Sequence, residues 1–279
     1  MEVQPSISTA LQGAALAGRA WNLNTRSRKL HMRSEEIQRQ HYELTATAYD
    51  VDPGLGQSPE HEFALYLLLG VIDSIKAQSV LDVGAGTGRG LTFLMRERPN
   101  LAVVGVEPVD ALRKVATNNG VPQHYLLPAL GEQLPFRDGS VDIVAEFGML
   151  HHVKRPEVVV REMLRVARYA VFLSDSNNLG MGSIEGRLIK NCAFSFGLWK
   201  ALNWLRTRGR GYVFEPNDGL WYYYTVFQHF RELRRRCHSV HIINTRKTAR
   251  THWFSASHVA VLATKPAILG RSPFFAYLK

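Results

Sequence analysis

The stretch Val80-Leu81-Asp82-Val83-Gly84-Ala85-Gly86-Thr87-Gly88-Arg89-Gly90 constrains this chain more than any other. An apolar run ends on an acid, and alternate positions are then glycine. The pattern predicts a buried strand turning sharply into a helix, with almost no side chains in the bend. A bend stripped of Cβ atoms lets a ligand approach the backbone, and the helix start beyond it offers unpaired N–H groups. The chain is therefore expected to hold a nucleotide-like cofactor.

The spacing of the glycines narrows which one. A dinucleotide fingerprint, G-x-G-x-x-G/A, needs a third small residue that this loop lacks: counted from Gly84 that position is Arg89, and from Gly86 it is Leu91. A phosphate loop needs Lys-Ser/Thr after its last glycine, and none stands here. A second apolar run, Leu101 to Val106, closes on Glu107, whose carboxylate can accept two hydrogen bonds from a ribose diol. That supports an adenosine ligand without choosing between cofactors.

The text D-x-G-x-G-x-G resembles the first motif of the class I S-adenosylmethionine-dependent methyltransferases, in their small-molecule, type 11 or quinone-biosynthesis-like group. Gly131-Glu132-Gln133-Leu134-Pro135-Phe136 resembles that family's turn into the fourth strand, and Glu146 through Val153, with Leu150-His151-His152, resembles the segment just past that strand. The resemblance implies S-adenosylmethionine as cofactor, held by Asp82, Gly84, Ala85, Gly86, Gly88, Glu107, Pro108, Gly131, Glu132 and Glu146. It departs from the family at Leu130, where an acid usually meets the adenine amine; Gly131 N–H and Glu132 are left to serve there. Glu162 and Arg165 read as a helix-surface charge pair.

The resemblance also implies a seven-stranded, mostly parallel, doubly wound α/β sheet. Strands are expected at 79–83, 101–106, 123–127, 141–146 and 169–175, closed by an antiparallel pair at 239–244 and 258–263, with helices between. Around this core we divide the chain into a basic tail (1–33), a helical lid (34–75), the cofactor-binding core (76–176), an inserted helical cap (177–238), the closing strands (239–265) and a C-terminal tail (266–279). Met32 is an alternative start. In the cap, Leu188 to Leu205 recur at helical spacing, and a second helix is expected from Trp221-Tyr222-Tyr223-Tyr224 to Arg234-Arg235-Arg236.

Charge sharpens the picture. The chain carries +10 overall. Ser183–Phe254 holds thirteen Lys/Arg against four Asp/Glu, and Met1–Arg33 five against one, so the core is close to neutral. The basic character belongs to the parts that would face a substrate or partner. The longest apolar run, Phe63 to Ile72, is too short to span a bilayer. The two cysteines, Cys192 and Cys237, have no metal-ligand spacing and read as reduced structural thiols in a cytoplasmic protein. No metal site is expected.

A methyl on a positively charged sulfur departs as a neutral thioether, so such an enzyme mainly aligns its reactants and excludes water. A hydroxyl acceptor also needs a base, and His151 or His152 is the expected one. Tyr42 and Tyr49 are candidates for closing over the cofactor. Arg210, Tyr212, Trp221 and Tyr223 are candidates for contacting the acceptor. A small molecule, lipid- or sugar-linked, is favoured as acceptor. RNA, a non-catalytic binding protein, and peripheral attachment of the Leu188–Leu205 segment to anionic lipid stay open.

Overall fold

Apolar runs and helical stretches alternate along the chain, and the alternation becomes a sheet covered on both faces. The computed structural model describes residues 34–49, 59–215, 218–246, 251 and 253–270. The expectations for the tail 1–33 and for residues 271–279 lie outside them. Two helices come first, α1 (Ser34–Thr45) and α2 (Pro59–Ile75). The core comes next as β1 (Ser79–Val83), α3 (Arg89–Glu97), β2 (Ala102–Val106), α4 (Asp110–Asn118), β3 (Leu126–Leu127), β4 (Val141–Phe147), α5 (Pro156–Val166) and β5 (Ala167–Ser176). The inserted segment contains α6 (Ile184–Ser195), α7 (Trp199–Arg206), β6 (Val213–Glu215), β7 (Gly219–Trp221) and α8 (Phe230–Arg236), and β8 (Ser239–Asn244) and β9 (His258–Thr264) close the sheet.

The sheet has seven strands in the order β3-β2-β1-β4-β5-β9-β8. The first five are parallel, and β9 runs antiparallel to both β5 and β8. This is the doubly wound sheet expected from the strand pattern. Side chains alternate between two cores, as the period of two requires. Val80, Ala170 and Phe172 pack with Leu68 and Ile72 of α2 and Leu91 and Leu94 of α3. Leu81, Val83, Val171 and Leu173 pack on the other face with Val159, Val160 and Met163 of α5. Successive strands are added on opposite sides of β1, and a crevice opens there beyond the carboxyl ends of the strands.

Three details depart from expectation. The third strand is only two residues long, because Gln123–Tyr125 turn as a 3-10 helix after Pro122. The apolar stripe from Leu188 to Leu205 is two helices, interrupted at Gly197, which sits at φ +74°. Trp221–Tyr224 is not helical. Leu220 N–H donates to the Gln38 side chain and Tyr222 N–H to the His151 carbonyl, so these backbone donors are spent outside the segment and it stays extended. The helix starts later, at Phe230, and its closing arginine triplet includes Arg236 paired with Glu232 at 2.7 Å. Cys192 is exposed on α6, whereas Cys237 is partly buried.

Buried polar anchors tie the cap to the sheet. Asn177, at the end of β5, donates to the Ala256 carbonyl (2.8 Å) and accepts from the Thr225 hydroxyl (2.8 Å). Lys190 of α6, 7% exposed, donates to the carbonyls of Asn178 and Met181, and burial lowers its pKa to about 8. Replacing Asn177 by Ala strands a buried carbonyl and a buried hydroxyl. A loss of about 1–3 kcal/mol per stranded group is expected in urea unfolding.

Candidate functional site

Beyond the ends of β1, β2 and β4 lies a cavity of about 860 Å³, inside the roughly 300–1,000 Å³ range of small-molecule pockets. Its floor is the bend after β1. Gly84 and Gly86 adopt φ +77° and +54°, a left-handed region that glycine enters without steric cost. A Cβ on Gly84 would meet the Met149 side chain at 2.4 Å, and one on Gly90 would meet Asp82 Oδ2 at 2.7 Å. Any side chain at these positions would displace the cavity wall.

Glu107 sits at the end of β2, 5% exposed. Its two carboxylate oxygens accept from Gly86 N–H (3.0 Å) and Val109 N–H (2.9 Å). Each oxygen keeps lone-pair capacity for a ligand hydroxyl. Burial outweighs these bonds and pushes its pKa up to about 7. Asp82 is also raised to about 7, by burial and then by the Glu107 charge. Two buried carboxyls thus face a cavity that a cationic, diol-bearing ligand would suit. Gly131 also lines the cavity, close enough to Val159 and Val83 that a Cβ would meet them at 3.0 and 3.2 Å. Leu130, 58% exposed, and Glu132 flank it. The residues present therefore fit a nucleoside with a charged tail.

The same cavity is lined by Tyr42, Tyr49, His61 and His152, and Tyr42 also packs with Val109 and Leu112 beside Glu107. The Tyr42 ring lies edge-on to Tyr49 and to His152, each with centroids 5.9 Å apart. His61, from α2, contacts Ser174 Oγ at 3.2 Å, and burial lowers its pKa to about 3, so it is neutral. His152 belongs to the short turn Leu150–His152, which a single buried carboxylate organises. Asp175, at the end of β5, accepts from the N–H groups of Leu150 (2.8 Å) and His151 (3.3 Å) and from His151 Nδ1 (2.7 Å). Burial penalises the His151 cation, but Asp175 and then Asp218 outweigh that and hold its pKa up near 10.

Four sets of sequence candidates are displaced. Gly88 does not line the cavity: it starts α3 and packs so closely that a Cβ would meet Val121 at 2.7 Å. Glu146 is fully buried behind the wall, accepting from Met149 N–H at 3.0 Å, and burial with Asp175 beside it pushes its carboxyl well above the usual carboxylate range. Arg210, Tyr212, Trp221 and Tyr223 lie outside the cavity wall. Tyr212 packs on Tyr222, and Tyr223 lies between Trp221 and the Arg206 guanidinium, 3.8 Å from its ring centroid. His151 is held just behind the wall that His152 forms. The sequence reading missed Gln38, His61, Asp175 and Asp218. Only Asp175 carried a signal, an acid closing a buried strand like Asp82 and Glu107; the others arrive from separate elements.

A family model described as a methyltransferase domain matches residues 81–172. Over 91 residues the chain is 37% identical to an uncharacterized methyltransferase of Mycobacterium sp. (strain KMS), covering 33% of this chain and 35% of that one. It is 25% identical over 193 residues to a tRNA U34 carboxymethyltransferase of Aliivibrio fischeri (strain MJ11), covering 54% of this chain and 58% of that one. The match thus spans about a third of the first relative's length and less than two thirds of the second's. Among solved structures, the cyclase SpnF superposes with a TM-score of 0.54 at 14% identity, covering 84% of this chain and 97% of that one, a likeness of fold alone.

The raised carboxyls carry a stability signature. With native pKa values near 7, Asp82 and Glu107 keep their protons in the folded chain at pH values where the unfolded chain has lost them. Folding stability should fall as pH rises from about 4 to 7, by about 1.4 kcal/mol per pH unit for each group, and level off above. Denaturant titrations across this range should show the fall, and the double variant Asp82→Asn/Glu107→Gln should flatten it.

Proposed function

From a chain that belongs, through residues 81–172, to the class I S-adenosylmethionine-dependent methyltransferases, we propose methyl transfer to a small-molecule acceptor that enters beside His152. The observation that carries this is continuity: one cavity is lined both by Gly84, Gly86 and Glu107 and by Tyr42, Tyr49 and His152. Asp82, Gly84, Ala85, Gly86, Glu107 and Pro108 would hold the cofactor, with Gly131 and Glu132 towards its base. When bound, S-adenosylmethionine supplies a methyl on a positively charged sulfur that leaves as a neutral thioether.

The protein's own part is to align and to dry. The Tyr42 and Tyr49 rings crowd the mouth and exclude water, which strengthens the electrostatics inside. Ionised Glu107 grips a diol and, with Asp82, favours a cation over a neutral analogue. At the acceptor end, the His151–His152–Asp218 cluster is the polar group placed to deal with an acceptor's proton.

An apolar or lipid-linked acceptor is supported by the cap surface. Ile184, Leu188, Phe196, Leu198, Trp204 and Leu205 of α6, α7 and the link between them are each more than half exposed, beside Lys200, Arg206, Arg208 and Arg210. An apolar hairpin rimmed with cations suits an anionic lipid surface. No helix among the described residues is long and apolar enough to cross a membrane. RNA is the second reading, favoured by the name of the Aliivibrio relative and by the basic cap.

Titration with S-adenosylhomocysteine in a calorimeter should give one site per chain. Gly86→Asp, which sets a charge beside Glu107, should abolish the heat; absence of heat in the unaltered protein would leave a fold without its chemistry. His152→Ala should cut turnover by about 10²–10⁴-fold with that binding intact. Labelled cofactor incubated with fractionated cell extract should mark the lipid or polar-metabolite fraction, and label in RNA would establish the second reading.

A further inference from the structure

Two segments distant in sequence bring His151, His152 and Asp218 together: the turn after β4 supplies the histidines, and the residue before β7 supplies the acid. His151 Nε2 lies 3.8 Å from Asp218 Oδ2, and His152 Nε2 lies 3.5 Å from Asp218 Oδ1. The other ring nitrogens are already committed. His151 Nδ1 is 2.7 Å from the buried Asp175 carboxylate. His152 Nδ1 is 2.7 Å from the Leu220 carbonyl, which can only accept, so Nδ1 carries the proton. Gln38 Nε2, 3.2 Å from that nitrogen, has the Asp218 carbonyl as its acceptor at 3.5 Å.

In neutral rings this assignment leaves bare lone pairs on both Nε2 atoms, facing a carboxylate. Three electron-rich groups do not converge unless positive charge lies between them. A proton on His151, which Asp175 and Asp218 favour, supplies part of it, but charge-assisted N–H···O contacts close to about 2.7–2.9 Å, and the 3.8 and 3.5 Å distances to Asp218 are longer. Two imidazolium rings with centroids 4.0 Å apart would also repel. A metal ion removes both difficulties. Ligands about 2.0–2.1 Å from a tetrahedral zinc sit about 3.4 Å from one another; here the two rings lie 3.8 and 3.5 Å from the two Asp218 oxygens, and one ligand atom from each of the three residues falls within 4.8 Å of the others. One divalent ion also balances the two carboxylates, Asp175 and Asp218. The outer contacts match what metal-bound histidines need: the remote N–H given to a carboxylate or a carbonyl, which fixes tautomer and ring orientation.

We propose that His151 Nε2, His152 Nε2 and the Asp218 carboxylate bind one divalent transition-metal ion of the zinc type, with Asp175 and the Leu220 carbonyl orienting the two rings. Three protein ligands leave a coordination position for water or an acceptor oxygen. His152 belongs to the cavity wall, so an ion here stands at the acceptor end. The site itself rests on the side-chain geometry; its use to hold an acceptor rests on the methyl-transfer reading.

The full chain without a polyhistidine tag, stripped with chelator and tested without cofactor, provides the test. Cobalt(II) should give the visible d–d bands of a low-symmetry nitrogen- and oxygen-bound ion, and zinc(II) should displace it at one ion per chain in calorimetry. His152→Ala and Asp218→Asn should each weaken zinc binding at least tenfold. Asp175→Asn, acting only through His151, should weaken it by about 10–100-fold. His124→Ala, at an exposed site, should change nothing. Absence of the cobalt bands, their survival in the His151→Ala/His152→Ala protein, or nitrogen NMR showing both Nε2 atoms protonated in the presence of zinc would overturn the proposal; the first and last need no variant. Zinc binding without any S-adenosylhomocysteine binding would overturn the methyl-transfer reading and leave the metal site standing; the opposite result would remove the site alone.

Discussion

The acceptor side of this protein hangs on one buried carboxylate. Asp175 has no exposure to solvent, so its charge must be met by protein groups, and each group that meets it is thereby placed. It accepts from two consecutive backbone N–H groups and shapes the Leu150–His152 turn. It accepts from His151 Nδ1–H and so determines which nitrogen of that ring looks outward. The His151 carbonyl then accepts from Tyr222, and the segment from Leu220 to Tyr222 is drawn against the Leu150–His152 turn. Electrostatics in a dry interior thus propagates from the end of β5 to the cap.

The cofactor side obeys a different logic, one of omission. Glycines at 84, 86 and 90 leave room that any side chain would fill, and Glu107 is held by backbone amides and not by a cation. Both acids on this side keep raised pKa values because burial outweighs the Arg89 charge near Asp82 and the Arg113 charge near Glu107. A ligand carrying positive charge would relieve that burial penalty.

Between the two sides stands α1. Gln38 accepts from Leu220 N–H, and Gly219, at φ +79°, lets β7 approach so closely that a Cβ would meet Gln38 Oε1 at 2.6 Å. The Tyr222 hydroxyl donates to Ser34 Oγ at 2.9 Å. The N-terminal helix is therefore docked on the inserted segment as well as on the core. Tyr42 is carried on that helix, so one element both lines the cavity and docks on the cap.

Residue order alone determined the sheet, its mostly parallel sense, the bare bend and Glu107, because each depends on local periodicity and on residues adjacent in the chain. Those features were legible with no knowledge of contacts. The fate of Trp221–Tyr224 was not, since an aromatic run is compatible with helix or strand until distant partners claim backbone donors, His151 that of Tyr222 and Gln38 that of the preceding Leu220. The aromatic and basic side chains read as acceptor contacts were placed by composition, but composition does not say which way a cap faces, and they point elsewhere. Nor could spacing reveal that His151, His152 and Asp218 meet, because the two histidines lie 66 residues or more from the acid along the chain. Only the closed tertiary structure, in which β7 crosses the end of β4 under the pull of buried hydrogen bonds, sets them around one point.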